Sequence, residues 1–247
     1  MPPVQTLTTA QGRLLAYHQT TGIGSGVIFL GGYRSDMGGT KAVALEAWAK
    51  ARGRAFLRFD YGGHGGSGGD FTELGIADWF DDARAALNLT QGPQVLVGSS
   101  MGGWLALLLA RAYPERIAGL IGIAAAPDFT EDSLLPSLTV VEMADMARLG
   151  RIERPSGYAG GPYVFTQLLI DQGRANLVLR APLALPFPTR FLQGTADTDV
   201  PVAVAQQLFD HASGPDIRLT LVKGADHRFS TPDCLALIES SLDEILA

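Results

Sequence analysis

The chain has 247 residues, 47% hydrophobic and 18% charged, a balance that supports a sizeable buried core and excludes a disordered chain. Its net charge of −6 comes from 19 basic and 25 acidic side chains with no run of Lys or Arg, so nucleic acid is not an expected partner. One cysteine, Cys234, permits no intrachain disulfide, and no apolar run is long enough to span a bilayer.

In chain order, short apolar runs alternate with longer helical patterns. The first run, QTLTTAQGRLLAYHQ, reads as two strands turning at Gln11-Gly12. GVIFL at 26–30 is a buried strand that ends in a Gly-Gly turn. KAVALEAWAKARG has helical spacing and a stop at Gly53. RAFLRF at 54–59 is the next strand and runs into the glycine-dense loop YGGHGGSGG. In IADWFDDARAALNL, at 76–89, residues Ile76, Trp79, Phe80, Ala83 and Leu87 share one helical stripe. QVLVG at 94–98 is a strand, WLALLLARAYPER a helix ending near Pro114, and IAGLIGIAAAP at 117–127 another strand.

There the rhythm stops. Residues 128–188 hold a helical piece at 138–149, the stretch RPSGYAGGPY, a second helical piece at 164–176 and the proline-rich APLALPFP. Long connections of this kind are more often functional than neutral, and this one is expected to be an inserted cap over one end of the sheet. Alternation then resumes with TRFLQG at 189–194, VAVAQQLFDHA, IRLTLV at 217–222 and a last helix from about Thr231, in which Cys234 reads as a small buried hydrophobe. The whole pattern predicts one α/β domain over 1–247, a mostly parallel eight-stranded sheet with helices on both faces.

The strongest local motif is Gly98-Ser99-Ser100-Met101-Gly102, a G-x-S-x-G pattern centred on Ser100. A buried strand precedes it and a long apolar helix follows, the context in which a sharp turn exposes a nucleophile. Ser99 lacks glycine on both sides at the same spacing. A serine hydroxyl needs a base, and histidine titrates near neutrality. His18 lies in an early strand, His64 in the glycine-rich loop and His211 near a helix end. His227, in KGADHRFS between a strand and the last helix, stands where a Ser–acid–His chain order puts the base. The acid that orients it is expected at Asp197 in GTADTDVP; Asp199 is better placed to cap the helix beginning near Pro201, and Asp128 is the alternative acid. Backbone N–H groups of Met101 and of Tyr33, which follows Gly31-Gly32, are the expected oxyanion donors. YGGHGGSGG lacks the lysine of a phosphate loop, and no His/Cys/Asp/Glu cluster has metal-ligand spacing, so neither cofactor nor metal is expected.

The motifs GGYRSDMGGTKA, RFDYGGHGGSGG, LVGSSMGGW, LQGTADTDVP and GADHRF resemble the α/β-hydrolase superfamily over essentially the whole chain. Within it, the likeness is greatest to a branch of palmitoyl-protein thioesterases and acyl-glucuronide esterases. The resemblance implies Ser100 as nucleophile, Asp197 as acid, His227 as base, and oxyanion positions Tyr33 and Met101. One departure is Gly31-Gly32, where the superfamily commonly has His-Gly. The expected function is hydrolysis of a carboxylic ester or thioester through an acyl-enzyme on Ser100, the substrate being a small acyl compound or an acylated protein. The alternatives are a peptidase or amidase on small substrates and a non-catalytic binding protein of the same fold. Phe165, Leu168 and Leu169 either line an acyl pocket or form cap core. The opening MPPVQTLTTAQGR has no basic-then-apolar signal pattern, and a cytoplasmic location is expected. Oligomeric state has no readable signature.

Overall fold

Side chains along a strand point alternately to its two faces. In the central strands of this chain both sets are apolar, which suits a sheet covered on both sides. The computed structural model describes residues 4–157 and 161–247; positions 1–3 and 158–160, the latter at the centre of RPSGYAGGPY, lie outside the described residues. β1 (Gln5–Thr8) and β2 (Leu14–Thr20) pair antiparallel around the turn expected at Gln11-Gly12, where Gly12 takes a positive φ. β3 (Val27–Leu30) leads to α1 (Thr40–Ala51), and β4 (Phe56–Phe59) to α2 (Ile76–Asn88). β5 (Gln94–Ser99) leads to α3 (Met101–Ala112), which is followed by β6 (Ile117–Ile123).

The chain then leaves the sheet. The excursion contains α4 (Val140–Leu149), the antiparallel pair β7 (Arg151–Arg154) and β8 (Tyr163–Thr166), α5 (Gln167–Ala175) and the short β9 (Leu183–Ala184). It returns through β10 (Thr189–Gly194), α6 (Val202–His211), β11 (Ala212–Ser213), β12 (Ile217–Val222) and α7 (Pro232–Ile245). β9 and β11 pair only with each other. The main sheet has eight strands in the order β1-β2-β4-β3-β5-β6-β10-β12, parallel from β4 to β12. This is the α/β arrangement that the alternation predicts.

Two apolar layers result. Ile28, Leu30, Leu96 and Leu120 face α2, α3 and α6, with Trp79, Trp104 and Leu208 at the centre. Val27, Phe29, Val95, Val97 and Ile121 face α1 and α7, against Leu45, Trp48, Ile238 and Leu242. Neighbouring strands β3 and β5 send the chain in opposite directions, to β4 and to β6, so a crevice opens at their carboxyl ends. The loops after both strands meet there.

Two sequence expectations are corrected. The strand expected at 117–127 ends at Ile123: the Ala124 N–H still donates to Leu192 O of β10, but its φ of 45° turns the AAAP segment out of the sheet. The helix expected at 164–176 begins as β8, and Thr166 caps the shorter α5 by accepting from the Leu169 N–H. On α2 the expected stripe of Ile76, Trp79, Phe80, Ala83 and Leu87 packs into the first layer, with Phe80 half-buried, and Asp82 is also fully buried, its carboxylate accepting from Arg13 and from the Gly62 N–H.

Candidate active site

β5 ends at Ser99 and α3 begins at Met101, so Ser100 alone makes the turn between them. Its backbone has φ 54° and ψ −120°, a conformation that costs a non-glycine residue ~1–3 kcal/mol and persists where the surroundings dictate it. Two glycines make the turn sterically possible. A Cβ on Gly98 would stand 2.4 Å from Gly102 O, and one on Gly102 would stand 2.1 Å from Leu30 O. Ser99 is buried at the end of its strand.

His227 lies in the loop between β12 and α7, and its Nε2 is 3.1 Å from Ser100 Oγ. Its Nδ1 is 2.8 Å from Asp197 Oδ2, in the loop after β10. A carboxylate only accepts, so Nδ1 carries the proton and Nε2 is left to accept from the serine hydroxyl. Asp197 Oδ1 also accepts from the N–H groups of Asp199 at 2.9 Å and Val200 at 2.8 Å, and Oδ2 from Gln193 Nε2 at 3.0 Å. Burial pushes this carboxyl up, but the hydrogen bonds from His227 and the two N–H groups outweigh it and hold it below its ordinary value.

The capping role expected of Asp199 is not found. α6 has Pro201 at its N-cap with no side-chain cap, and Asp197 itself ties down the segment ahead of the helix. Asp128 is fully buried, and its carboxylate accepts from the N–H groups of Val178 at 2.8 Å and Leu179 at 2.9 Å, fastening the end of the excursion. Of the other histidines, His18 is buried in β2, His211 places Nε2 2.8 Å from Ala181 O, and His64 is buried in the loop after β4.

The loop after β3 passes directly over the serine turn: a Cβ on Gly32 would be 3.4 Å from Ser100 Cβ. Tyr33 and Met101 border the same cleft as Ser100 and His227. Among the described residues, neither the Tyr33 nor the Met101 N–H has a protein acceptor.

The family model described as Serine aminopeptidase, S33 matches residues 25–152. Palmitoyl-protein thioesterase ABHD10, mitochondrial, from Rattus norvegicus is 37% identical over 238 residues, covering 94% of this chain and 78% of that protein. Mouse α/β-hydrolase domain-containing protein 10 superposes with a TM-score of 0.90 at 34% identity, covering 98% of both chains. A crystal structure from Agrobacterium vitis S4 gives 0.95 at 38% identity, covering 99% of this chain and 100% of that one. The chain belongs to the α/β-hydrolase family.

In this α/β-hydrolase two cavities meet at Ser100, Tyr33 and His227. The larger, about 630 Å³, is walled mainly by apolar groups, among them Ala126, Pro127, Phe129, Leu134, Phe165 and Val204. The smaller, about 370 Å³, is bordered by the charged and hydroxyl side chains Arg34, Ser35, Lys41, Ser156, Arg228 and Ser230 among others. Lys41 donates to Arg228 O, and burial lowers its ammonium pKa to about 8. Of the three apolar residues singled out in the excursion, Phe165 borders the larger cavity, Leu169 is core and Leu168 is 39% exposed. The Tyr33 ring stacks on Phe165 at 5.4 Å, and its hydroxyl donates to Val164 O. Sequence reasoning set His64 aside as a base and gave Lys41 and Arg228 no role, because spacing along the chain does not reveal that the loops after β3, β4 and β12 converge. Among the described residues no helix is long and apolar enough to cross a membrane. The cytoplasmic expectation finds no support among the ABHD10 relatives, which are named mitochondrial.

Proposed function

We propose that this hydrolase cleaves carboxylic esters or thioesters through an acyl-enzyme on Ser100. The observation that carries this reading is the continuous hydrogen-bonded run from Ser100 Oγ through His227 to Asp197, with links of 3.1 and 2.8 Å. His227 Nε2 takes the hydroxyl proton as Ser100 Oγ attacks the acyl carbon, and returns it to the departing oxygen or sulfur. Asp197 keeps the proton on Nδ1 and stabilises the imidazolium. The N–H groups of Tyr33 and Met101 hold the tetrahedral oxyanion, a contribution of ~100- to 1,000-fold in turnover per donor. Water activated by His227 then releases the acid.

The larger apolar cavity receives the acyl chain, and its volume of about 630 Å³ lies within the ~300–1,000 Å³ typical of small-ligand sites. The smaller cavity, bordered by Arg34, Lys41 and Arg228, receives the leaving group. The name of the ABHD10 relatives, palmitoyl-protein thioesterase, supports a long acyl chain in thioester linkage. The excursion at 124–188, which supplies Phe129, Leu134 and Phe165, acts as the cap that selects that chain.

Reaction with a fluorophosphonate probe tests the nucleophile: the native protein is labelled and Ser100→Ala is not. Equal labelling of the two, or none of either, ends the reading. A panel of acyl esters and thioesters of graded chain length, run beside aminoacyl amides, tests the substrate class. Rates that climb with chain length support the acyl reading. Preference for aminoacyl amides would favour the peptidase activity named in the family model.

A further inference from the structure

We propose that His64 is a positioning residue that fixes the oxyanion loop through the peptide between Tyr33 and Arg34. The proposal rests on reading the Tyr33 N–H as an oxyanion donor. His64 is 3% exposed, and its ring lies edge-on to Tyr61, Phe71 and Trp79, with centroids 5.5, 5.0 and 5.2 Å away. Its Nε2 accepts from the Arg34 N–H at 3.2 Å. A backbone N–H can only donate, so Nε2 carries the lone pair and Nδ1 the proton. Nδ1 lies 3.1 Å from Gly62 O, which accepts that proton. Both ring nitrogens are therefore committed, and the imidazole is a rigid strut between the loop after β4 and the loop after β3.

The strut is attached one peptide away from the donor. The Arg34 N–H belongs to the peptide that follows Tyr33 and the Tyr33 N–H to the peptide before it, and the two planes meet at the Tyr33 Cα, which the bond to His64 helps hold in place. The loop needs such a hold, because Arg34 sits at φ 56°, a region sparsely populated by non-glycine residues. Further along, Asp60 Oδ1 accepts from the Met37 N–H at 2.6 Å and Arg58 Nη1 donates to Met37 O at 2.7 Å. These bonds brace the far end of the loop from β4 and its end, whereas the His64 bond reaches the end beside Ser100. Burial lowers the imidazole pKa to about 4, so the acceptor on Nε2 persists at neutral pH.

Two substitutions separate this role from simple packing. His64→Gln retains an acceptor long enough to reach the Arg34 N–H. His64→Asn, one carbon shorter, reaches the Gly62 side alone. Both remove the ring, so loss of packing is common to the pair. On a p-nitrophenyl ester, kcat for His64→Asn is expected to fall ~10- to 100-fold below that of His64→Gln, with KM within ~2-fold, the pattern of an interaction realised in the transition state. Equal kcat values, with Ser100→Ala inactive, would overturn the positioning role alone, and turnover that survives Ser100→Ala would overturn the acyl-enzyme reading as well. Native protein labelled with 15N-histidine gives an answer independent of any variant. The Nδ1–H tautomer is expected for His64, and an Nε2–H tautomer contradicts the bond to Arg34.

Discussion

At the scale of single residues, the proposed chemistry depends on a serine held in a conformation serines avoid. Ser100 stays at φ 54° because Gly98 and Gly102 let the turn, α3 and the end of β3 come closer than any Cβ permits. That much was legible in the sequence, since a G-x-S-x-G between a buried strand and an apolar helix has few other uses. Chain order pointed to His227 and the loop after TRFLQG to Asp197, and the structure sets the two in a hydrogen-bonded run with Ser100. The choice between Asp197 and Asp199 rested on a capping argument that fails, as Pro201 is the N-cap and Asp199 contributes its backbone N–H to Asp197. The geometry nevertheless favours Asp197, the carboxylate bonded to His227. Asp197→Asn is expected to lower kcat on a p-nitrophenyl ester by ~10³- to 10⁴-fold, because an amide no longer enforces the Nδ1–H tautomer. Asp199→Asn is expected to lose much less, and a greater loss in that variant would reverse the assignment. His64 was invisible at this scale. Its partner, the Arg34 N–H, lies 30 positions away on a different loop, and nothing in either segment marks the pairing.

At the scale of elements, strands and helices of the sheet were readable because each apolar run has one period and a clear stop. The excursion was not, because its elements are short and their boundaries are set by contacts made elsewhere. β8 is the instructive case. Tyr163–Thr166 carries apolar residues compatible with either period, and pairing with β7 decides it. The loop after β3 then holds it in place: the Tyr33 hydroxyl donates to Val164 O, and Arg34 Nη1 to Pro162 O at 2.9 Å. Tyr33→Phe removes the first bond while leaving the Tyr33 N–H untouched. It is expected to cost ~1 kcal/mol and to speed amide exchange in β8, with turnover of a short ester largely retained. Hydrogen–deuterium exchange on a peptide spanning 163–166 checks this, and unchanged protection there would detach the excursion from the oxyanion loop.

At the scale of the whole molecule, the sheet order creates the crevice between β3 and β5, and the loops after β10 and β12 bring Asp197 and His227 to its edge. The same architecture buries ionisable groups, which gives stability a pH dependence. Burial raises the Glu46 carboxyl, but hydrogen bonds from Lys50, Arg58 and Thr20 more than offset this and bring it to about 2. Its stabilising contribution is therefore complete above its ordinary value of 4.5 and is lost as pH falls toward 2. Burial brings His64 from 6.5 to about 4, so across that interval the unfolded chain binds a proton the folded chain refuses, and stability again declines with acidification. His64→Gln is expected to lessen the loss of urea midpoint on acidification between pH 6.5 and about 4 relative to the native protein. An unchanged slope in that variant would contradict the assignment of His64 as a neutral buried group. The convergence of four loops on Ser100 is tested most directly by acid-quenching the protein milliseconds after mixing with an activated acyl ester, followed by peptide mass spectrometry. An acyl adduct on the peptide containing Ser100, absent in Ser100→Ala, is the predicted result. Ester turnover with no adduct there, or with the adduct on another residue, would contradict it.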